Sequence, residues 1–166
     1  MEMKIQHAFL ALMIILLISG CNAEMTGTVV DAETGAPIEG AVVLVEWTVT
    51  KGVPGMTATE KYKVLEKVTD KEGKVSISEV LDPLANPPRI TIYKKGYVAW
   101  NNKHIFPNWK KRTDFRWTKE ITVKMETFKQ NYSRADHVYF FHSVTHWGEL
   151  INEAFRWEEL ERERKK

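Results

Sequence analysis

The chain of 166 residues contains a single cysteine, Cys21. One cysteine excludes an internal disulfide and a zinc–thiolate cluster, so a folded body must be held by its apolar core. An excess of one charge is lacking too. With 24 basic and 22 acidic side chains the formal net charge is +2, which removes the usual argument for a nucleic-acid partner. The uncharged run Ala8–Ile18 falls short of the ~20 apolar residues that a membrane-spanning helix needs. There is no Gly-x-Ser-x-Gly elbow, no glycine-rich phosphate loop and no Cys/His pair. These absences lower the case for an enzyme, and no cofactor is expected. What is present is globular in balance, 43% hydrophobic and 28% charged. It suffices for one ordinary domain plus an appendage.

From Met25 to about Phe128 the pattern is β-rich. Gly27–Asp31 reads as a short strand, and Asp31–Pro37 as a turn opened by Asp, with Gly35 free to take positive φ. Ala41–Thr50 is long and β-branched, and Lys51–Gly55 is expected to break it. A further strand is suggested around Tyr62, Val64 and Val68. Asp70–Gly73 turns into Lys74–Ser78, which alternates polar and apolar, as do Arg89–Tyr93 and Ile121–Met125. Gly96–Trp100 is read as one more strand, and Asp82–Pro88 as a proline-rich loop. Short, regularly punctuated strands predict an antiparallel β-sandwich.

Several of these residues fall in a recognisable order: Gly27-x-Val29-x-Asp31, Thr34-Gly35-x-Pro37-Ile38-x-Gly40-Ala41-x-Val43, Thr69-Asp70-x-x-Gly73-x-Val75-x-Ile77 and Gly96-Tyr97. The order resembles carboxypeptidase regulatory-like domains. The resemblance implies a transthyretin-like (prealbumin-like), Ig-like sandwich of about seven strands over residues 25–128. It implies no peptidase activity, because in that family the module sits beside a separate zinc-bearing catalytic domain. Asn101–Thr118 departs from the pattern as an insertion, and 129–166 as an extra tail.

The start of the chain has a second resemblance. A short polar opening with Lys4, the apolar run Ala8–Ile18, then Leu17-Ile18-Ser19-Gly20-Cys21 is similar to the signal and lipobox of bacterial lipoproteins. The apolar length is that of a signal-peptide core, ~7–15 residues. The resemblance implies a signal over 1–20, cleavage between Gly20 and Cys21, acyl chains including a palmitate-type amide on Cys21, and a short tether over 21–24. Two or three chains anchor firmly, at ~0.8 kcal/mol per buried methylene. Asn22 in place of Asp favours the outer membrane over the inner one. The expected location is therefore a bacterial membrane surface outside the cytoplasm.

In the tail, Ser133-Arg134-Ala135-Asp136 resembles a capping box with Asp in place of Glu. It predicts one helix from about Arg134 to Arg162. Gly148 costs that helix roughly 1 kcal/mol. At the helical period, Phe140, Val144, Trp147, Ile151, Ala154 and Phe155 gather on one side. His142 and His146, four apart, would share the opposite face with Glu149 and Glu153. That is the spacing of a two-histidine metal pair, although Ser143 stands where a zincin has its glutamate. Lying opposite the apolar face, the stripe reads first as a solvated face and only second as a metal site, and His137 lies on the apolar side.

Trp100, Trp109, Phe115 and Trp117 crowd into the insertion, between Lys103, Lys110, Lys111, Arg112 and Arg116. Such aromatics either cover a core or stack on sugar rings. Asp31/Glu33 and Asp70/Glu72 lack the ligand count of a calcium loop and read as turn chemistry. The expected function is a non-catalytic envelope lipoprotein acting as a binding or structural module, with an envelope protein or a glycan as partner. Carbohydrate or peptidoglycan contact through 100–117 is one alternative, and a metal-linked role through His142 and His146 another.

Overall fold

The computed structural model describes residues 24–78, 80 and 82–164. Its strands are β1 (Glu24–Asp31), β2 (Val42–Val53), β3 (Met56–Val68), β4 (Lys74–Ser78), β5 (Arg89–Tyr93), β6 (Trp100–Asn101), β7 (His104–Ile105), β8 (Lys110–Lys111) and β9 (Glu120–Met125). Two sheets, ordered β4-β1-β9 and β3-β2-β5-β6, make the sandwich, and β7 and β8 form a separate small hairpin. The protein is thus mainly β, as its strand pattern predicts. One pairing departs from the antiparallel rule: β1 and β9 run parallel, from Thr26 opposite Glu120 to Asp31 opposite Met125. Tight turns impose antiparallel pairing, but β9 reaches β1 by a long connection from the other sheet.

Met25, Val29, Val75, Ile77, Val123 and Met125 of one sheet close on Val43, Val45, Trp47, Ile90 and Ile92 of the other. In β2 the residues between these, Val42 and Leu44, are buried as well, in a second core on the outer face of the four-stranded sheet. Burial on both faces explains why this strand reads as an unbroken apolar run.

The acidic turns are built as the residue order suggests. Asp31 Oδ1 accepts from the backbone of Glu33 and Thr34 at 2.9 and 2.8 Å. Asp70 Oδ1 accepts from Glu72 N and Lys74 N at 3.0 and 2.7 Å. Gly73 takes φ 69°, and a Cβ there would lie 2.4 Å from the Val29 carbonyl oxygen.

Two local expectations are corrected. Lys51–Gly55 does not break the sheet: β2 continues to Val53, turns at Pro54-Gly55, and returns as β3 with Val53 opposite Met56. The two glycines at φ 115° and 88° supply the backbone that the turn demands. Second, Gly96–Trp100 is mostly not strand. Tyr97 N bonds Lys94 O in a turn, and only Trp100–Asn101 pairs with β5.

The single helix expected over Arg134–Arg162 is two, α1 (Arg134–Val144) and α2 (Glu149–Arg164). Ser133 caps α1, its hydroxyl accepting from Asp136 N at 3.2 Å. At Thr145 the backbone turns extended, φ −122° and ψ 127°. Two carboxylates on the sheet then take the amide protons that a continuous helix would use itself. Glu46 Oε1 accepts from His146 N and Trp147 N at 3.0 and 2.9 Å. Glu66 accepts from Glu149 N, Leu150 N and Ile151 N at 2.9, 3.1 and 2.9 Å. Gly148 sits in the joint, where a Cβ would meet Ile151 Cγ2 at 2.6 Å and Glu66 Oε1 at 2.8 Å. Val138, Phe140, Phe141, Val144, Ile151 and Phe155 seal the second core, and the Phe141 and Phe155 rings stack at 3.7 Å across the two helices.

Candidate binding surfaces

The four aromatic residues of the insertion do not form one surface. Trp100, on the edge strand β6, is only 8% exposed. Phe115 meets it edge-on at 5.6 Å and the Arg112 guanidinium lies 4.7 Å over its ring. Arg112 is itself held, with Nε donating to Asn101 O at 2.8 Å and Nη1 3.3 Å from Asp114. Desolvation lowers the Arg112 pKa, and the Asp114 charge opposes that fall. Phe115 and Trp117 are half-buried against the sandwich core, Trp117 beside Trp47 and Pro88.

Trp109 is different. It is 40% exposed, sits at φ 55°, and packs on Phe140 and Tyr139 at 5.0 and 5.9 Å. A non-glycine residue in that backbone region carries strain. With Tyr139 exposed beside it and Lys110 and Lys111 following on β8, Trp109 presents a small aromatic–basic patch.

The two candidate metal-binding histidines are separated by the helix break. His142 is on α1, its Nε2 2.7 Å from Glu159 Oε1 on α2. His146 lies in the joint, where its ring nitrogen Nδ1 is 2.5 Å from Arg89 Nη1. The shared helix face that made them a pair does not exist. Among the described residues no group of three or more His, Cys, Asp or Glu is placed to hold a metal ion.

Around His146 lies a cleft that spacing alone does not announce. Thr48 and Thr59 from the β2–β3 hairpin, Asn86 and Pro87 from the loop before β5, Arg89, Lys103 and Trp147 line it with His146, around about 770 Å³. Glu46 stands behind it, opposite Arg89 in register and 2% exposed, with its Oε2 free of hydrogen-bond partners among the described residues. Desolvation, followed by the Arg89 charge, holds both His146 and Lys103 below their ordinary pKa values. The Glu46 charge pulls each back up. Held below 6.5, His146 is neutral at pH 7 and can accept from the Arg89 guanidinium beside it. The signal that marks it is split between four segments far apart in the chain, so no local pattern reveals it.

His137 lies at the centre of the second core and is fully buried. Its Nε2 accepts from Ala99 N at 2.8 Å, which leaves Nδ1 as the donor to Glu158 Oε1 at 2.7 Å. Glu158 Oε2 accepts from the Tyr93 hydroxyl at 3.1 Å, and Trp157 Nε1 donates to that hydroxyl at 2.8 Å. Burial, with the Glu158 charge second, pushes the Tyr93 pKa far above its ordinary value. The chain of bonds links both helices to β5.

Cys21 and Gly20, the expected acylation and cleavage residues, lie outside the described residues. Among those that are described, no helix is long and apolar enough to cross a membrane. No family model matches the chain, and no curated protein matches it.

Proposed function

We propose that the protein is a non-catalytic, membrane-anchored lipoprotein of the bacterial envelope, whose carboxypeptidase regulatory-like sandwich is a binding or structural module. The observation that carries this reading is the order Leu17-Ile18-Ser19-Gly20-Cys21 behind an uncharged apolar run of signal-peptide length. In the chain, Cys21 precedes Glu24, a residue of β1, by three positions. The rigid body supports a binding role, since two cores and a buried polar network fix the loops that surround the cleft and the Trp109 patch. The test is the intact mass of protein taken from the membrane fraction. Added mass from two or three acyl chains on a chain starting at Cys21 is the expected result. A free thiol at Cys21 in protein that fractionates as soluble overturns the proposal.

A second reading, contact with a glycan such as peptidoglycan, is favoured by one observation, the exposed Trp109–Tyr139 pair flanked by lysines. Loss of peptidoglycan retention in Trp109→Ala, with the fold intact, tests it.

A further inference from the structure

The sandwich has two unlike ends. At one end lie the turns Asp31–Pro37 and Asp70–Gly73. At the other, β1 enters at Glu24 opposite Ser78, β9 begins opposite Thr26, and β5 begins with Arg89 opposite Glu46. From this second end the β2–β3 hairpin runs on past Trp47, with the loop before β5 bonded to its base through the Val49–Ala85 bridge, Asn86 and Asp82. The register shifts between Trp47 and Thr48, leaving Tyr62 as the extra residue of a bulge. From Trp47 to Val53 the arm extends roughly 20 Å at strand rise.

Exposed apolar side chains collect at this end. Val53 and Met56 at the hairpin tip are 62% and 79% exposed, and Leu84 in the adjacent loop 78%. Tyr62 is exposed with its hydroxyl 2.6 Å from Asp82. At the base of this arm stand Lys61 and Lys63, with Arg89 and Lys103 in the cleft beside it, none in an ion pair with a described carboxylate; Lys63 also lies 5.8 Å over the Trp47 ring. The acids here are partly committed already, Glu60 to Lys51 at 2.7 Å and Glu46 to the backbone of the helix joint. An apolar tip with a cationic collar matches the layering of an anionic bilayer, hydrocarbon beneath phosphate.

We propose that this end of the sandwich docks on an anionic phospholipid surface, with Val53, Met56 and Leu84 entering the acyl boundary and Lys61, Lys63, Arg89 and Lys103 meeting headgroup phosphates. The proposal rests on the lipid-anchor reading in one respect. Three residues from Cys21 to Glu24 reach at most about 10 Å, so acyl chains on Cys21 bring this end to the membrane and leave less room than the hairpin arm needs. The anchor supplies residence, while the hairpin sets orientation.

The experiment uses the full chain, isolated with its acyl chains and reconstituted in vesicles of phosphatidylcholine and phosphatidylglycerol. A fluorophore is placed by Met56→Cys, or at the opposite end by Glu72→Cys, and quenched with lipids spin-labelled near the headgroup. Strong quenching at position 56 and little at 72 is the expected result. Equal, weak quenching at both in acylated protein overturns the docking proposal while leaving the anchor intact. If intact mass shows no acylation, the anchor reading fails separately, and vesicle co-sedimentation of that unmodified chain decides the docking. Retention on phosphatidylglycerol vesicles that falls about tenfold or more in Met56→Asp, as expected for losing one buried apolar side chain, supports it. Absence of retention, or retention unchanged by Met56→Asp and Leu84→Asp, overturns it. Both positions are solvent-exposed, so far-UV circular dichroism should show the fold unaltered.

Discussion

His137 and Glu158, on different helices, form a fully enclosed pair with Nδ1 and Oε1 2.7 Å apart. The helices are thereby joined through a polar bond inside an otherwise apolar layer. Tyr93 at 3.1 Å and Arg134 at 3.5 Å complete the surroundings of the carboxylate.

Removing one member of such a group strands the others without water. Glu158→Ala should therefore lower stability by about 3–5 kcal/mol, read as a shift of the urea midpoint at constant slope. Glu158→Gln keeps the size and one acceptor and should cost less. A loss under 1 kcal/mol in the alanine variant would show that the network contributes little.

Glu66 caps α2 from a neighbouring strand, so its removal should be felt in that helix before the rest of the fold. Glu66→Ala is expected to cost about 1–2 kcal/mol, the upper range for a lost cap. Amide exchange should accelerate at Glu149, Leu150 and Ile151, whose protons the carboxylate holds, while β1 and β4 stay protected. Uniform acceleration across both sheets would contradict a local cap.

His146 gives the protein a pH-dependent component with a definite sign. Its folded pKa lies below the ordinary value of 6.5, first from desolvation and then from Arg89, with Glu46 opposing. The unfolded chain thus takes up the proton more readily, so stability falls as pH drops from about 6.5 through the folded value and is flat above that window. Arg89→Ala should raise the His146 midpoint, measured by the NMR titration of its ring protons. An unchanged midpoint would mean that desolvation alone sets it.

Trp100 and Trp109 should behave oppositely. Trp100→Ala removes a buried ring together with the seat of Phe115 and Arg112, and should cost about 3–5 kcal/mol. Trp109→Ala, at a half-exposed position, should cost about 1 kcal/mol, the scale of an aromatic pair. If the glycan reading holds, Trp109→Ala abolishes retention on insoluble peptidoglycan with the fold intact. Equal retention of variant and parent would end that reading.

Much of the sandwich was legible in the order of residues because its signals are local. Asp31 and Asp70 open turns by bonding amides two to four residues on, and Lys74–Ser78 alternates because one face is wet. The lipobox-like segment is local too, which is why Cys21 stands out in a chain with no other cysteine. The helix joint, the cleft and the split between the aromatic residues were decided by tertiary structure. Nothing near Thr145 states that Glu46, 100 residues before His146, and Glu66, 83 residues before Glu149, will take its neighbours' amide protons. A helix amide bonds whichever acceptor is best placed, and inside a fold that acceptor can sit on a distant strand. Once those carboxylates are placed, His146 leaves the helix and His142 loses its partner. Arg89, Lys103 and His146 then come together from segments that share no pattern in sequence.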